Sequence, residues 1–415
     1  MINQFKAIVR NLIGVKNTSV LHKIFPFHVN RLNKTKPIRS LLVFVREARK
    51  ILVDENKEGF FDHLVKNGIN ASKLPDDWWD DFFYFIQSER KSEEERFIIA
   101  TENLASELLE AEDWLKLYAV CVFMGLFNIG FKIREKAKQA PYKNPLLEVS
   151  TFLDDNEIDK AIKSIQSLKS LSVEDKEKLS TLVSIIRGSH GMTQSYSGEL
   201  SKLLKGKKVA LVGPVKGQEN TAKEIDSSDI IVRLNYVESG KGCDDECLGL
   251  KTDLAYFNGV SCQILKEKYN GNLPSEIKFG VFKGDTYFPD LKPKSKLKVV
   301  TSYNRFLLTG SYNLIQYAIL DILKYEPGSV KIYGTDLMLS PNRYKGYAVQ
   351  KNLKDNALAF LPHEPVAQYN LLRNLYKNKV VDVDSRLKEV LELGTENYMD
   401  GIQEIYGKAL KLDYK

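Results

Sequence analysis

Apolar positions along the chain change their period near residue 188. Before it they recur every three to four residues, the spacing of one buried helix face. Ile158, Ala161, Ile162, Ile165 and Leu168 form one stripe; Leu179, Leu182, Val183 and Ile186 form another. Between them "SVED" (172–175) supplies a capping-box start and Gly188 a stop. The pattern predicts helix after helix over 51–187, an all-α domain of hairpins that resemble α-solenoid units without a repeat consensus. Trp78, Trp79, Phe82, Phe83 and Phe85 have the spacing of a core cluster rather than of a recognition surface. The run "YAVCVFMGLFNIGF" (118–131) is too short to cross a bilayer and predicts a buried core helix.

A Gly- and Ser-rich stretch, 188–206, reads as a linker. Beyond it, short apolar runs at 208–212, 229–234, 252–257, 277–282, 297–302, 329–333 and 379–383 predict strands, with helical segments between several of them. That alternation predicts an α/β domain over 207–415, a mostly parallel sheet with helices on both faces.

Length and charge refine the picture. A chain of 415 residues is too long for one ordinary core. Its four cysteines are too few for a disulfide framework, which points to a reducing compartment. Eleven Lys and Arg against one acid give residues 1–50 a net charge of +10, whereas 50 against 53 give the rest −3. The protein therefore reads as a basic arm on a nearly neutral body. In the arm, Phe5, Ile8, Val9, Leu12 and Ile13 recur at helical spacing with Lys6, Arg10 and Lys16 between them. Such a helix suits an anionic membrane surface, and equally an ordinary packed helix with solvated lysines. The arm lacks aromatics interleaved for base stacking, so no nucleic-acid partner is expected. With no spanning segment and no cleavable signal pattern, a cytoplasmic location is expected, peripheral on the inner membrane face if the arm binds lipid.

In an open α/β sheet, ligands bind outside the carboxyl ends of the strands. Gly213 and Pro214 follow "VALV", and the glycine would let the backbone approach a ligand closely. Arg233 and Asn235 close the next strand, Asn258 ends "LAYFN", and Tyr333 and Gly334 close "VKIYG". Asp336, Tyr344 and Tyr347 follow. Thr309, Gly310 and Ser311 precede the helical run "YNLIQYAILDILKY", whose start predicts an anion site of free N–H groups and hydroxyls. His363, before the helix-starting Pro365, is the one histidine after His190 and so the obvious proton acceptor near neutral pH. "CDDEC" (243–247) lacks the paired C-x2-C knuckles of structural zinc, and "GPVKGQ" lacks the full dinucleotide fingerprint. Neither a metal nor another cofactor is expected.

These residues carry a resemblance. "VALVGPV…EIDSSDIIVRLN…GLKTDLAYFN" is similar to the large sialylmotif of sialyltransferases, "TGSYNLIQYAILDILKYEPGSVKIYGTD" to the small one, and "HEPVAQYNLLRNLYKNKVVDVD" to the closing histidine segment. The three stand in family order over about 180 residues of the C-terminal half. The resemblance implies a modified single-Rossmann, GT-A-like fold with a CMP-sugar donor and no metal. It implies that Gly213 approaches the CMP, that Asn235 and Asn258 bind its phosphate or ribose, and that Thr309, Gly310 and Ser311 contact cytidine and phosphate. It further implies that Tyr344, with Tyr347, donates to the leaving phosphate, and that His363 deprotonates the acceptor hydroxyl. Pro214 stands where the family usually has asparagine, and Met338 where some bacterial relatives have tyrosine. The small motif has no cysteine, so the disulfide that joins the two motifs in the animal enzymes cannot form.

The expected function is thus transfer of a 2-keto sugar acid, sialic acid first, from its CMP ester to a glycan or lipid-linked oligosaccharide with inversion. One alternative is a CMP-Kdo transferase; if that enzyme is retaining, Asp336 would serve as carboxylate nucleophile. Another is a helical scaffold carrying an inactive transferase domain, against which Asn235, Thr309 and His363 argue.

Overall fold

A computed structural model of the chain describes residues 36–54, 56–87, 91–168, 171–189, 198–215, 220–235, 245–283, 291–341, 343, 347 and 352–410. The arm residues Phe5 to Lys16, Cys243, Asp244 and Tyr344 lie outside the described residues. The chain divides into two compact units. One holds Met1–Glu148, Leu353–Pro362 and Met399–Lys415; the other holds Val149–Asn352 and His363–Tyr398.

The first unit is helical. Phe60, Trp78, Trp79, Phe82, Phe83 and Phe97 form its aromatic core, each at most 6% exposed. Their rings meet edge-on or offset, as in Trp79 against Phe82 at 5.5 Å and 87°. Buried indoles still need an acceptor: Trp78 Nε1 donates to Thr101 Oγ1 (3.1 Å) and Trp79 Nε1 to the Ala71 carbonyl (2.9 Å). The run 118–131 is not one helix. Gly125, at φ +78°, breaks it into Ala111–Phe123 and Phe127–Gln139. Gln403 fastens this corner, accepting from Phe127 N (2.6 Å) and donating to the Gly125 carbonyl (2.9 Å). The last described segment therefore belongs to the helical unit, not to the α/β domain that the boundary 207–415 assigned it to. No described helix is long and apolar enough to cross a membrane.

The second unit contains a seven-stranded parallel sheet: β1 (Lys208–Val212), β2 (Ile230–Leu234), β3 (Leu254–Phe257), β4 (Phe279–Phe282), β5 (Leu297–Val299), β6 (Ser329–Tyr333) and β7 (Asp382–Val383). The order is β5-β4-β3-β2-β1-β6-β7. Every residue of β2, β3 and β4 is buried, which is why these segments read as continuous apolar runs rather than alternating ones. Strand order reverses at β1: the chain steps outward to β5, then crosses back to lay β6 on the other side of β1. Such a switch point opens a crevice at the carboxyl ends of the two flanking strands.

The hairpin of Ile158–Ser167 and Val173–Arg187 forms as predicted, with Ser172 accepting from Asp175 N (3.1 Å) and Gly188 closing it in the left-handed region. It belongs to the sheet unit, however, not to the helical one. Asn378 Nδ2, at the end of the Pro365–Lys377 helix, donates to the Ile186 carbonyl of the hairpin (2.8 Å), and Asn374 Nδ2 donates to the Leu153 carbonyl (3.1 Å) of the preceding helix, Pro145–Asp154. The predicted linker 188–206 contains a short helix, Glu199–Leu204, with Leu200 and Leu204 buried; residues 190–197 lie outside the described residues.

One face of the sheet holds a buried ionic cluster. Asp321 accepts from Tyr256 Oη (3.0 Å) and Lys298 Nζ (2.8 Å), with Lys324 Nζ at 3.8 Å. Burial drags the Lys324 ammonium down to about 8, outweighing the attraction of Asp321. Unfolding therefore takes up a proton between pH 8 and the ordinary lysine value of 10.5, so folded stability gains from Lys324 as pH rises through that window. Urea unfolding should show wild type gaining on Lys324→Met by at most about 1.4 kcal/mol per pH unit there. Parallel pH curves would contradict this.

Candidate functional site

The carboxyl ends of β1 and β6 meet through two glycines. Gly213 N donates to the Tyr333 carbonyl (2.8 Å) and Val215 N to that of Gly334 (2.8 Å). A Cβ on Gly213 would sit 2.5 Å from the Gly334 carbonyl oxygen. The close approach of the neighbouring strand therefore requires glycine at this position. Gly334 is left-handed at φ +60°, and its N–H donates to Asp384 Oδ2 (2.7 Å), whose other oxygen caps the Ser385–Glu392 helix. Pro214, between Gly213 and Val215, is half-buried.

Asn235 is the hub of the neighbouring ends. It sits at φ +52° just past β2, buried, with its N–H on the Tyr256 carbonyl (2.7 Å). Its Oδ1 accepts from Asn258 N (3.0 Å) and Ser261 Oγ (2.8 Å), and its Nδ2 donates to Tyr347 Oη (2.7 Å). Asn258 caps the Gly259–Tyr269 helix through Ser261 N (3.1 Å). Burial pushes the Tyr347 phenol up, and the bond from Asn235 partly offsets that.

Two members of the expected nucleotide set have other roles. Arg233 Nε donates to the Lys251 carbonyl (2.9 Å), and its Nη2 to those of Leu248 (2.7 Å) and Gly249 (2.8 Å), so it holds the loop before β3. Tyr333 is wholly buried among Ala210, Val212, Ile225 and Ile231 and fills the core.

The segment Thr309–Gly310–Ser311 is not the start of a helix. Gly310 lies in the left-handed region at φ +60°, and the helix begins at Leu314 behind its own cap, Asn313. The predicted anion site of helix N–H groups is therefore displaced from Thr309 and Ser311. Ser311 instead pairs with His363 in an isolated parallel bridge. His363 Nδ1 lies 3.2 Å from Ser311 Oγ and 3.3 Å from its carbonyl oxygen, and Glu364 N donates to that carbonyl (3.1 Å). The imidazole is half-buried, and Glu364 behind it is fully buried, capping the Pro365–Lys377 helix through Ala367 N.

Lys283 joins the two groups. Its N–H donates to the carbonyl of Phe257, the residue before Asn258, while its Nζ reaches the Tyr312 carbonyl (2.5 Å) beside Ser311. Asn235, Asn258, Tyr347, Ser311 and His363 are therefore connected along the carboxyl edge of the sheet. Sequence reasoning missed Ser261, Lys283 and Asp384. The N-x-x-S spacing of Asn258 and Ser261 was the available cap signal, as was Asp384 before a helix. Nothing local marks Lys283.

Asp336, just past β6, is wholly buried. Burial raises its pKa, against the opposing pulls of the Ser340 hydroxyl first and then of Arg343, Arg386 and the Met338 backbone. The next two residues, Leu337 and Met338, are both at positive φ (53° and 80°), strain of the kind that collects at functional sites. A buried carboxyl biased toward its neutral form is poorly suited to act as a nucleophile. Among the described residues no group of three or more His, Cys, Asp or Glu is placed to hold a metal ion.

The chain matches no protein-family model, and no curated protein matches it in sequence.

Gly213→Ala should cost about 1–3 kcal/mol of stability, because the added Cβ meets backbone rather than a flexible side chain. A urea midpoint equal to wild type would contradict the close approach of β1 and β6.

Proposed function

We propose that the sheet-bearing unit is a GT-A-like, single-Rossmann glycosyltransferase that moves a 2-keto sugar acid, sialic acid first, from its CMP ester to a hydroxyl of a glycan or lipid-linked oligosaccharide. The observation that carries this reading is the Ser311–His363 pair, standing on the same sheet edge as the Asn235–Tyr347 hub. A nucleotide sugar needs both: uncharged donors for the departing phosphate, and a base for the attacking hydroxyl.

His363 supplies the base. When Nδ1–H donates to the Ser311 carbonyl, the proton is held there and Nε2 carries the lone pair. As the acceptor oxygen bonds to the anomeric carbon, its proton passes to Nε2. The bond from that carbon to the phosphate oxygen breaks on the opposite side, and its electron pair leaves with CMP. A dianionic leaving group gains most from preorganised neutral donors in a site that excludes water. Tyr347 Oη and the hydroxyls of Thr309 and Ser311 are the donors assigned that role. Direct displacement with one base inverts the anomeric centre. The buried, neutral-leaning Asp336 disfavours the retaining CMP-Kdo alternative, which would need an ionised carboxylate at the anomeric carbon.

CMP should raise the melting temperature, since a ligand at 100 times its Kd adds about 2.7 kcal/mol to stability. UDP and NAD should not, and equal shifts from all three would end the nucleotide assignment. His363→Ala should lower kcat by about 10²–10⁴ while CMP affinity, read by calorimetry, stays within a few-fold. Near-normal turnover in that variant would remove His363 from the mechanism.

A further inference from the structure

We infer that Asn304 sets the donor specificity of this site, its Nδ2 donating to the carboxylate that a 2-keto sugar acid carries on the anomeric carbon. The inference deepens the function proposed above and rests on it. Asn304 lies outside all three segments that resemble sialyltransferases. Its amide is oriented by what its oxygen accepts. Oδ1 receives the Tyr312 backbone N–H at 3.3 Å and the Tyr317 hydroxyl at 2.6 Å. A backbone N–H can only donate, so a half-turn of the amide would set N–H against N–H. The oxygen is therefore spent inside the protein, on two residues at most 5% exposed. Among the described residues none accepts from the amide nitrogen, and Asn304 itself is half-buried. Such an amide offers donors alone, the complement of an anion.

The surrounding bonds place that donor near the imidazole. Asn304 follows β5 at the carboxyl edge of the sheet. Tyr312, whose N–H it holds, comes directly after Ser311, and Ser311 Oγ lies 3.2 Å from His363 Nδ1. Lys283 Nζ grips the Tyr312 carbonyl at 2.5 Å, so the backbone beside Ser311 is held at both of its polar groups. The loop that carries Asn304 is braced as well: Ser150 Oγ donates to the Phe306 carbonyl (2.7 Å), and Arg305 pairs with Asp175. A donor on a braced loop meets its ligand without first being ordered.

A 2-keto sugar acid bears its carboxylate and its leaving phosphate on the same carbon. The hydroxyls of Tyr347, Thr309 and Ser311 are assigned to the phosphate, which leaves the carboxylate to Asn304. As the phosphate departs, the anomeric carbon gains positive character, and the adjacent carboxylate stabilises it. A neutral amide orients that carboxylate without cancelling its charge, as a guanidinium or ammonium would. A donor sugar without the carboxylate leaves the N–H unpaired and is rejected for that reason.

The test changes one group at a time in the full chain and in its donor. Asn304→Asp keeps an oxygen for Tyr312 and Tyr317 and puts a second oxygen in place of the amino group, so both structural bonds are kept. With the CMP ester of the sugar acid, kcat/KM should fall about ten- to hundredfold, the loss of one hydrogen bond to a charged group. With the same donor carrying a primary carboxamide instead of the carboxylate, the variant should lose at least about tenfold less, because its new oxygen accepts the carboxamide N–H. Repulsion of the phosphate by the added charge lowers both donors alike and is thereby separated. Asn304→Ala, which removes the donor without adding charge, should narrow the wild-type preference for the acid by about tenfold. Equal losses on the two donors in both variants would overturn the inference and leave the glycosyltransferase reading intact. A wild-type protein that neither binds CMP in calorimetry nor transfers sugar would defeat that reading, and the carboxylate contact with it.

Discussion

Gly213 N–H on the Tyr333 carbonyl and Val215 N–H on the Gly334 carbonyl bring the ends of β1 and β6 together where strand order reverses. The approach is possible only without a side chain, because the Gly334 oxygen occupies the place of a Cβ. Everything on the carboxyl edge is referred to that junction. Gly334 takes a left-handed turn and is tied to Asp384; the chain then passes through Asp336 into two further positive-φ residues. On the other side β2 ends in Asn235, also left-handed, which gathers β3 and Tyr347 to it. Strand ends that turn sharply leave their side chains and backbone groups at the rim, where a ligand can reach them.

Much of this was legible in the sequence, for physical reasons that differ from element to element. Seven apolar runs became seven parallel strands; in β2, β3 and β4 burial on both faces leaves no alternation to misread. Ser172 and Gly188 bounded their helix because capping is a local bond between near neighbours. The packing partner of that helix was not legible. An amphipathic stripe states that a face is buried and is silent about what covers it, so the hairpin was assigned to the helical domain although its Ile186 carbonyl accepts from Asn378 at the end of the Pro365–Lys377 helix. The break at Gly125 inside an apolar run was likewise hidden, since composition there does not distinguish one buried helix from two.

The site shows the same division. Motif positions placed Asn235, Asn258, Ser311 and His363 on one edge, and hydrogen bonds between distant segments, those of Lys283 among them, join them there. Roles were harder to read than places. Arg233 is consumed by three backbone carbonyls and Tyr333 by the core, two demands that arise only once the loop before β3 and the β1–β6 face exist. Thr309 and Ser311 resembled a cap, yet Asn313 is the cap, which leaves Ser311 to position the imidazole. A buried polar group must find a partner, and which partner it finds is a tertiary fact.

In the proposed reaction one imidazole and a cradle of neutral donors surround the anomeric bond of a CMP-sugar, and a crystal structure with an inert fluorinated CMP-sugar reads that arrangement. The phosphate is expected within hydrogen-bond reach, about 2.6–3.2 Å, of Tyr347 Oη and Ser311, with His363 Nε2 facing the anomeric carbon across the space for one hydroxyl. A nucleotide bound away from the carboxyl edge of the sheet, or a sugar whose anomeric carbon faces away from His363, would contradict it.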